Sequence, residues 1–529
     1  MKLVHVTCTV PLLALVLGVA HGWGANAPAL WWLQVATMAL AAGAIFLAAQ
    51  SKLVAVSILS ALAFSAASAT TAHQWLLDAL VPETVLGGPL ATVVYGALVL
   101  LLSVLPASAL ALAGFVFMKP SRAAFAPLLL AAGMPLAEIA TSALVGFAWT
   151  SAGYAQLGTP LAAFYPWIGV HGVAALVTLF AAMVAAEVAA RIPVDAAASR
   201  DPRAPSWGFA PLALAVVAAG AASFANYRGA TSPAGAALHV RLVQPAIDPR
   251  EKFDGLRMRA LARQLATLAR DSDAPRGTQL IVAPETALPH VWSALPADVQ
   301  DTLLEPVSPG DGVFLTGMFA ADPERGLLNV STALHATSKN SAPRHYAKRR
   351  LVPVAERQTA GLRWLSDALA LRYPTRATVD EAPVVFDVAG IGVRATICLD
   401  LAFGADLSET AGATGVIVNQ SNLSALPGER VRAQFTTIAR VRALEQGKPL
   451  LLVANDGPTA VIDARGNILA SLPFGAPGAL SHEIVPRVGT TPYALFGESL
   501  WLSALALGAL AIFLRRRPAG SQRLSRLAP

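Results

Sequence analysis

The feature that most constrains this chain is a series of apolar runs long enough to cross a bilayer, then one polar stretch, then a last apolar run. Lipid offers no partners for backbone N–H and C=O groups, so an apolar run of this length spans as an α-helix. Candidate spans are roughly 6–23, 28–49, 53–73, 88–117, 123–147, 162–190 and 207–227, with a further one near 494–514. The fourth contains Pro106 and is long, which predicts a tilt or a kink. Composition agrees. Of 529 residues, 55% are hydrophobic and 13% charged, about half the charge of an ordinary soluble domain.

The formal charge of +7 does not point to nucleic acid, because the basic residues show no aromatic-basic stripe. They sit between apolar runs. Lys2, Lys52, the Lys119/Arg122 pair and the Arg191/Arg200/Arg203 group fall in alternate loops, and Arg515-Arg516-Arg517 follows the last span. Asp78 and Glu83 fall in a loop of the opposite parity. By the positive-inside rule the basic clusters are cytoplasmic, which puts seven spans before the polar stretch, one after it, and the stretch itself on the far side. Val6 to Ala20 can also be read as a cleaved signal sequence, but its removal would upset this alternation, so an uncut helix is the preferred reading. The chain thus divides into a helical membrane part over 1–230, a polar domain over 237–490, and a last span with a basic tail over 491–529.

The polar domain has an α/β texture. Short β-rich runs occur at Val240–Val243, Gln279–Val282, Gly312–Thr316, Val384–Val388, Val393–Ile397, Gly415–Val418, Leu450–Val453 and Thr459–Ile462. Helices fit about 251–270 and 430–446. Gly390-Ile391-Gly392-Val393-Arg394-Ala395 matches GxGxxA, but β-branched residues follow it, so a hairpin turn is expected and not a dinucleotide loop. Cys8 and Cys398 are the two cysteines; they are far apart and in different settings, and no metal-ligand spacing of Cys or His occurs. Neither a metal nor a cofactor is expected.

Cys398 closes the strand-like run Val393-Arg394-Ala395-Thr396-Ile397. A nucleophile on a tight turn at a strand end is presented with backbone N–H groups nearby to hold an oxyanion. A lone cysteine is more often a buried structural one; its company decides. Glu285 follows an apolar strand end in Ile281-Val282-Ala283-Pro284-Glu285-Thr286-Ala287-Leu288-Pro289, and Lys348 stands in Tyr346-Ala347-Lys348-Arg349-Arg350-Leu351-Val352-Pro353. Alone these read as a loop carboxylate and a solvated basic patch. Together, a carboxylate to take the thiol proton, an ammonium to favour the thiolate and the oxyanion, and a thiol to attack an acyl carbon form a coherent machine. Glu356 is placed to hold the lysine or assist proton transfer.

In this order the motifs resemble the nitrilase superfamily, and with the flanking spans the chain is similar to the apolipoprotein N-acyltransferases. Supporting stretches are Leu242-Val243-Gln244-Pro245-Ala246-Ile247, the Glu285 and Lys348 segments, Ile397-Cys398, Arg442-Ala443-Leu444-Glu445-Gln446-Gly447-Lys448-Pro449-Leu450, Asn455-Asp456-Gly457 and Gly489-Thr490-Thr491-Pro492-Tyr493. In the membrane part, Gly146-Phe147-Ala148-Trp149 and Gly153-Tyr154-Ala155-Gln156 are similar to the segment before the family's sixth span. Leu399 and Asp400 stand where the family has an aromatic residue and Glu; Phe253 replaces a tryptophan, Ala355 a glycine, and Ser421-Asn422-Leu423-Ser424-Ala425 departs from the family's SND-aromatic-FG loop.

The resemblance implies a nitrilase-like α-β-β-α sandwich inserted between the seventh and eighth transmembrane helices, with a catalytic Glu285, Lys348, Cys398 triad supported by Glu356, Leu399 and Asp400. It implies transfer of an acyl chain from a phospholipid, phosphatidylethanolamine by preference, through a cysteine thioester. The acceptor is the N-terminal amine of a diacylglyceryl apolipoprotein, at the periplasmic face of a bacterial inner membrane. No cofactor is called for, since the thioester stores the activation. Phe147, Trp149 and Phe253, with the 360–371 loop, are expected to line substrate access. Two other readings stay open at this level: a membrane-anchored amidohydrolase with water as acceptor, and a non-catalytic lipoprotein-binding relative.

Overall fold

The computed structural model describes residues 2–83, 88–147, 149–192, 220, 230–270, 278–339, 341–353, 356, 382–424, 426 and 428–515. The expected span at 207–227 and the loop at 360–371 lie outside these residues, as do Arg200, Arg203, Ala355 and the end of the basic tail.

The apolar runs form helices at Lys2–Trp23, Trp31–Gln50, Val54–Ala72, Gly88–Phe117, Ala126–Val145 and Tyr165–Arg191, with a last one at Ser499–Arg515. Among the described residues five helical stretches are long and apolar enough to cross a membrane, and Cys8–Trp23 and Ser499–Leu514 are shorter apolar helices. Large side chains on their outer faces stay exposed, Val93 at 68%, Leu100 at 63% and Leu507 at 66%; an apolar face without a protein partner is what lipid requires. Pro106 lies inside an unbroken helix. The sharp change of direction falls instead in Tyr165–Arg191, at Gly169 (φ 64°, ψ −177°). A Cβ on Gly169 would come within 2.2 Å of the Tyr493 ring, so the kink is both permitted and occupied by glycine's missing side chain. Gln74–Glu83 is a short helix that the apolar pattern does not reveal, being too short to span.

The polar domain opens with β1 (Thr231–Pro233), paired with the last strand β14 (Arg487–Gly489), and is built on two six-stranded sheets. One has the order β12-β11-β10-β9-β8-β7: Ile468–Ser471, Ala460–Ile462, Leu450–Ala454, Val416–Ser421, Ile391–Ile397 and Val385–Val388. The other runs β13-β2-β3-β4-β5-β6: Gly478–Ile484, Leu238–Gln244, Leu280–Val282, Val313–Asp322, Gly326–Leu334 and His345–Ala347. Central strands pair in parallel, β8 with β9 with β10 and β2 with β3 with β4, and edges are antiparallel. Central strands are buried on both faces, as parallel strands must be. Val240, Leu242, Leu280 and Leu315 of one sheet share a core with Val393, Ala395, Val416 and Leu451 of the other. Helices Met258–Ala269 and Ala297–Leu304 cover one outer face, and Glu429–Gln446 covers the other. This is the expected α-β-β-α sandwich. The GxGxxA stretch is a hairpin turn, with Val388 opposite Ile391 and Ala389 and Gly390 both at positive φ.

The membrane helices meet this sandwich at one end. Arg430 donates to the Gly22 carbonyl at the end of Lys2–Trp23, and the Trp149 indole, after Ala126–Val145, donates to Gln434 at 2.8 Å. Both contacts use the C-terminal ends of helices that run toward the sandwich, so Lys52, Lys119 and Arg122 sit at the opposite end of the helix bundle.

Candidate active site

Each of the three central residues follows a strand. Glu285 comes three residues after β3, Lys348 directly after β6, and Cys398 directly after β8. Gln420 of β9 ties the two sheets together at this level, donating to the carbonyls of Ala283 (2.6 Å) and Leu315 (3.2 Å). The Glu285 turn packs on bare backbone: a Cβ at Gly317 would lie 2.3 Å from the Pro284 oxygen and the Thr286 nitrogen. Thr286 itself takes φ 45° and Cys398 φ 48°. A non-glycine residue in the left-handed region costs free energy and persists only where the surroundings fix it, a pattern concentrated at functional sites.

The side chains make one buried chain of hydrogen bonds. Lys348 Nζ donates to Glu285 Oε1 and to Glu356 Oε1, both at 2.9 Å. Asn329 of β5 donates to Glu285 Oε1 at 2.7 Å, and the Asn422 amide donates to Glu285 Oε2 at 2.8 Å. That same amide lies against the Cys398 thiol. Glu356 Oε2 accepts from the Val352 amide at 2.8 Å. Lys348, Glu285 and Glu356 are 1%, 4% and 3% exposed, so these are charges withdrawn from water and held by each other.

The electrostatics around the thiol pull in two directions. Lys348 does favour the thiolate, but burial and the Glu285 and Glu356 carboxylates outweigh it, pushing the Cys398 thiol well above the usual thiol range. The site holds two carboxylates and one ammonium, and a thiolate would add a second net negative charge to a buried site. Burial opposes the charge on Lys348, yet Glu285 and Glu356 hold its ammonium well above the ordinary range; burial raises the Glu356 carboxyl in turn.

The supporting residues divide by position. Asp400 does not reach the reacting group; it accepts from the Tyr346 hydroxyl (2.8 Å), the Arg350 amide (2.7 Å) and the Ile397 amide (2.9 Å). It therefore clamps the cysteine turn to the segment that carries Lys348. Leu399 is buried in the inner core. Trp149 is 4% exposed, stacked between Phe147 and Phe435 at 5.7 and 5.6 Å, where the membrane helices meet the sandwich. Phe253 lies apart from them and is 47% exposed.

Sequence reasoning missed Asn329, the Asn422 amide, and Lys252, fully buried with its Nζ 3.0 Å from the Glu285 main-chain oxygen. It also gave no role to Arg442 and Glu445, which pair with each other in the interior. Arg442 donates to the Leu401 and Ala402 carbonyls and to the Tyr154 hydroxyl, and Glu445 accepts from the Val170 amide beside the Gly169 kink. Lys252, Arg442 and Glu445 stand in charged stretches that read as solvated, so nothing local in the sequence set them apart.

A family described as carbon-nitrogen hydrolase matches residues 239–493, and one described as apolipoprotein N-acyltransferase N-terminal domain matches residues 38–183. The chain is 31% identical over 398 residues to the apolipoprotein N-acyltransferase of Bordetella bronchiseptica, covering 71% of each chain. It is 30% identical over 511 residues to that of Verminephrobacter eiseniae, covering 91% of each. Among solved structures it is similar to Saccharomyces cerevisiae Nit3, a member of the nitrilase superfamily, with a TM-score of 0.37 and 16% identity over 55% of this chain and 100% of that one.

Proposed function

Since this chain belongs to the apolipoprotein N-acyltransferase family, we propose that it moves a fatty acyl chain from a phospholipid to the N-terminal amine of a diacylglyceryl apolipoprotein. Glu285, Lys348 and Cys398 carry the reaction. The observation that supports this most is the buried Glu285–Lys348–Glu356 chain beside a cysteine held at positive φ on a strand end.

In the first half-reaction the Cys398 proton passes to Glu285 as Sγ attacks the ester carbonyl, so no free thiolate accumulates in the buried site. Lys348 offsets the negative charge that moves onto the carbonyl oxygen. The C–O bond breaks, the lysophospholipid oxygen takes the proton from Glu285, and the acyl chain remains on Sγ. In the second half-reaction the α-amine attacks the thioester carbonyl and gives a proton to Glu285. The C–S bond then breaks, Sγ recovers that proton, and an amide is left on the lipoprotein. Glu356 holds Lys348 between two carboxylates throughout, and Asp400 holds the turn. Phosphatidylethanolamine is the donor in this reading, and the sandwich faces the periplasm of the inner membrane.

Labelled phospholipid incubated with the full chain should leave label in a hydroxylamine-sensitive bond. Cys398→Ser should abolish it and Cys8→Ser should not. Label that persists in the Cys398 variant would refute the thioester; thioester that water alone discharges, with no transfer to a diacylglyceryl peptide, would favour a hydrolase.

A further inference from the structure

The membrane helices enclose a cavity of about 110 Å³ beneath the segment that carries Phe147 and Trp149. It lies near the sandwich end of the bundle: Thr141 is one turn from the end of Ala126–Val145, and His73 closes Val54–Ala72. Its walls are unusual for membrane depth. Ser65 Oγ, Thr141 Oγ1 and Glu138 Oε2 line it, are buried, and have no hydrogen-bond partner among the described residues. Ser65 and Thr141 are each 6% exposed. Among the described residues no lysine or arginine lines the cavity. His171, whose charge reaches Glu138, is already paired with Glu498 at 2.9 Å, and Ser151 with the Ala152 amide lies against the Glu138 carboxyl.

An ionisable side chain inside a membrane domain is costly and marks a site of function by default. Here the chemistry is specific. The carboxylate oxygen only accepts and the two hydroxyls can accept, so a donor of several N–H bonds can satisfy all three at once. Beside them Phe147 and Trp149 stack with their planes 5° apart, and His73 lies 5.7 Å from Phe147; aromatic faces attract cations. The volume suits a group the size of ethanolamine. Trp149 belongs to the same hydrophobic cluster as Cys398, so the wall of this cavity is continuous with the core behind the nucleophile.

We propose that this cavity is a binding site for a primary ammonium group, with Glu138 as counter-ion and Ser65 and Thr141 as its neutral acceptors. The ethanolamine headgroup of the donor phospholipid is the expected occupant, since Cys398 does not line the cavity and an acceptor amine must reach the thioester. The inference rests on the acyl-transfer reading for its purpose but not for its test. The full chain in detergent is equilibrated with equal amounts of phosphatidylethanolamine and phosphatidylglycerol, and retained lipid is read by native mass spectrometry, which needs no turnover. Glu138→Gln should lower the retention of phosphatidylethanolamine relative to phosphatidylglycerol by roughly 10- to 100-fold, the worth of one charge-assisted hydrogen bond. The near-isosteric Thr141→Val, a neutral change that preserves packing volume, should lower it by a smaller factor. Thioester formation from the two lipids identifies the source. A fall confined to phosphatidylethanolamine assigns the headgroup, while a fall only in transfer from preformed thioester assigns the acceptor's α-amine. If neither variant changes retention or either half-reaction, the ammonium site is overturned. A wild-type chain that forms no thioester from either lipid rejects the acyl-transfer reading instead, and leaves the retention result standing.

Discussion

Replacing Lys348 with methionine removes the one cation that two buried carboxylates share. Nζ donates at 2.9 Å to both Glu285 and Glu356, and all three side chains are at most 4% exposed. Two effects follow, and they have different sizes. Loss of a preorganised partner for the oxyanion typically costs 100- to 1000-fold in rate, or about 2.7–4 kcal/mol. Breaking a buried ion pair from one side costs about 3–5 kcal/mol of stability, because the partner is left uncompensated. The abandoned carboxylates respond by taking up a proton between them. A proton on Glu285 removes the base as well, so the rate should fall by at least the upper end of that range. The double variant Lys348→Met/Glu356→Gln separates the two effects. It leaves one carboxylate where the single variant leaves two, so thermal unfolding in detergent should recover part of the lost stability. Thioester formation from labelled phospholipid should not recover. The reasoning is refuted if the single variant stays within tenfold of wild type, or if the double variant regains turnover along with stability.

The raised Cys398 thiol predicts slow alkylation at pH 7 compared with a free cysteine, rising about tenfold per pH unit through pH 9 as the deprotonated fraction grows; a plateau below pH 8 would show the thiol is not held up. Slow labelling is therefore compatible with an active enzyme and does not by itself favour the non-catalytic reading. Asp400→Asn turns one of two acceptor oxygens into a donor facing backbone N–H groups, and should cost about 1–3 kcal/mol in unfolding stability and lower acyl transfer, with Tyr346→Phe milder in both. A reporter fused after Arg228 should be active only in the periplasm, and one at the C-terminus only in the cytoplasm; the reverse pattern would refute the proposed orientation.

His345–Ala347, before Lys348, is too short to show in the sequence, but the strands that carry Glu285 and Cys398 were legible because their cues are local: an apolar run with the acid or the thiol just after it. The strand Gly326–Leu334 was not, since Asn329, Ser331 and Thr332 interrupt its apolar alternation while being buried themselves. Asn329 is polar because it bonds Glu285, a reason that lies 44 residues away. The kink at Gly169 escaped for a similar reason: Pro106 carries a visible kink signal, whereas the glycine's partner, Tyr493, is 324 residues distant along the chain. The net charge around Cys398 depends on how many carboxylates converge and how dry the site is, and spacing encodes neither.

Arg442 and Glu445 sit where the sandwich meets the bent helix, with Arg442 on the carbonyls just past the cysteine turn and Glu445 on the amide just past Gly169. Cutting the chain there would leave the two charges to each other but take the Tyr154 hydroxyl from Arg442 and the Val170 amide from Glu445, and would bare Phe435, the side chain on which Trp149 rests. A version of this sandwich released into solution would keep Arg442 on the carbonyls past its nucleophile turn but lose the Tyr154 hydroxyl that holds Arg442 from the membrane side. In this protein the membrane helices are thus more than an anchor: they supply part of the packing and hydrogen bonding beneath the sandwich.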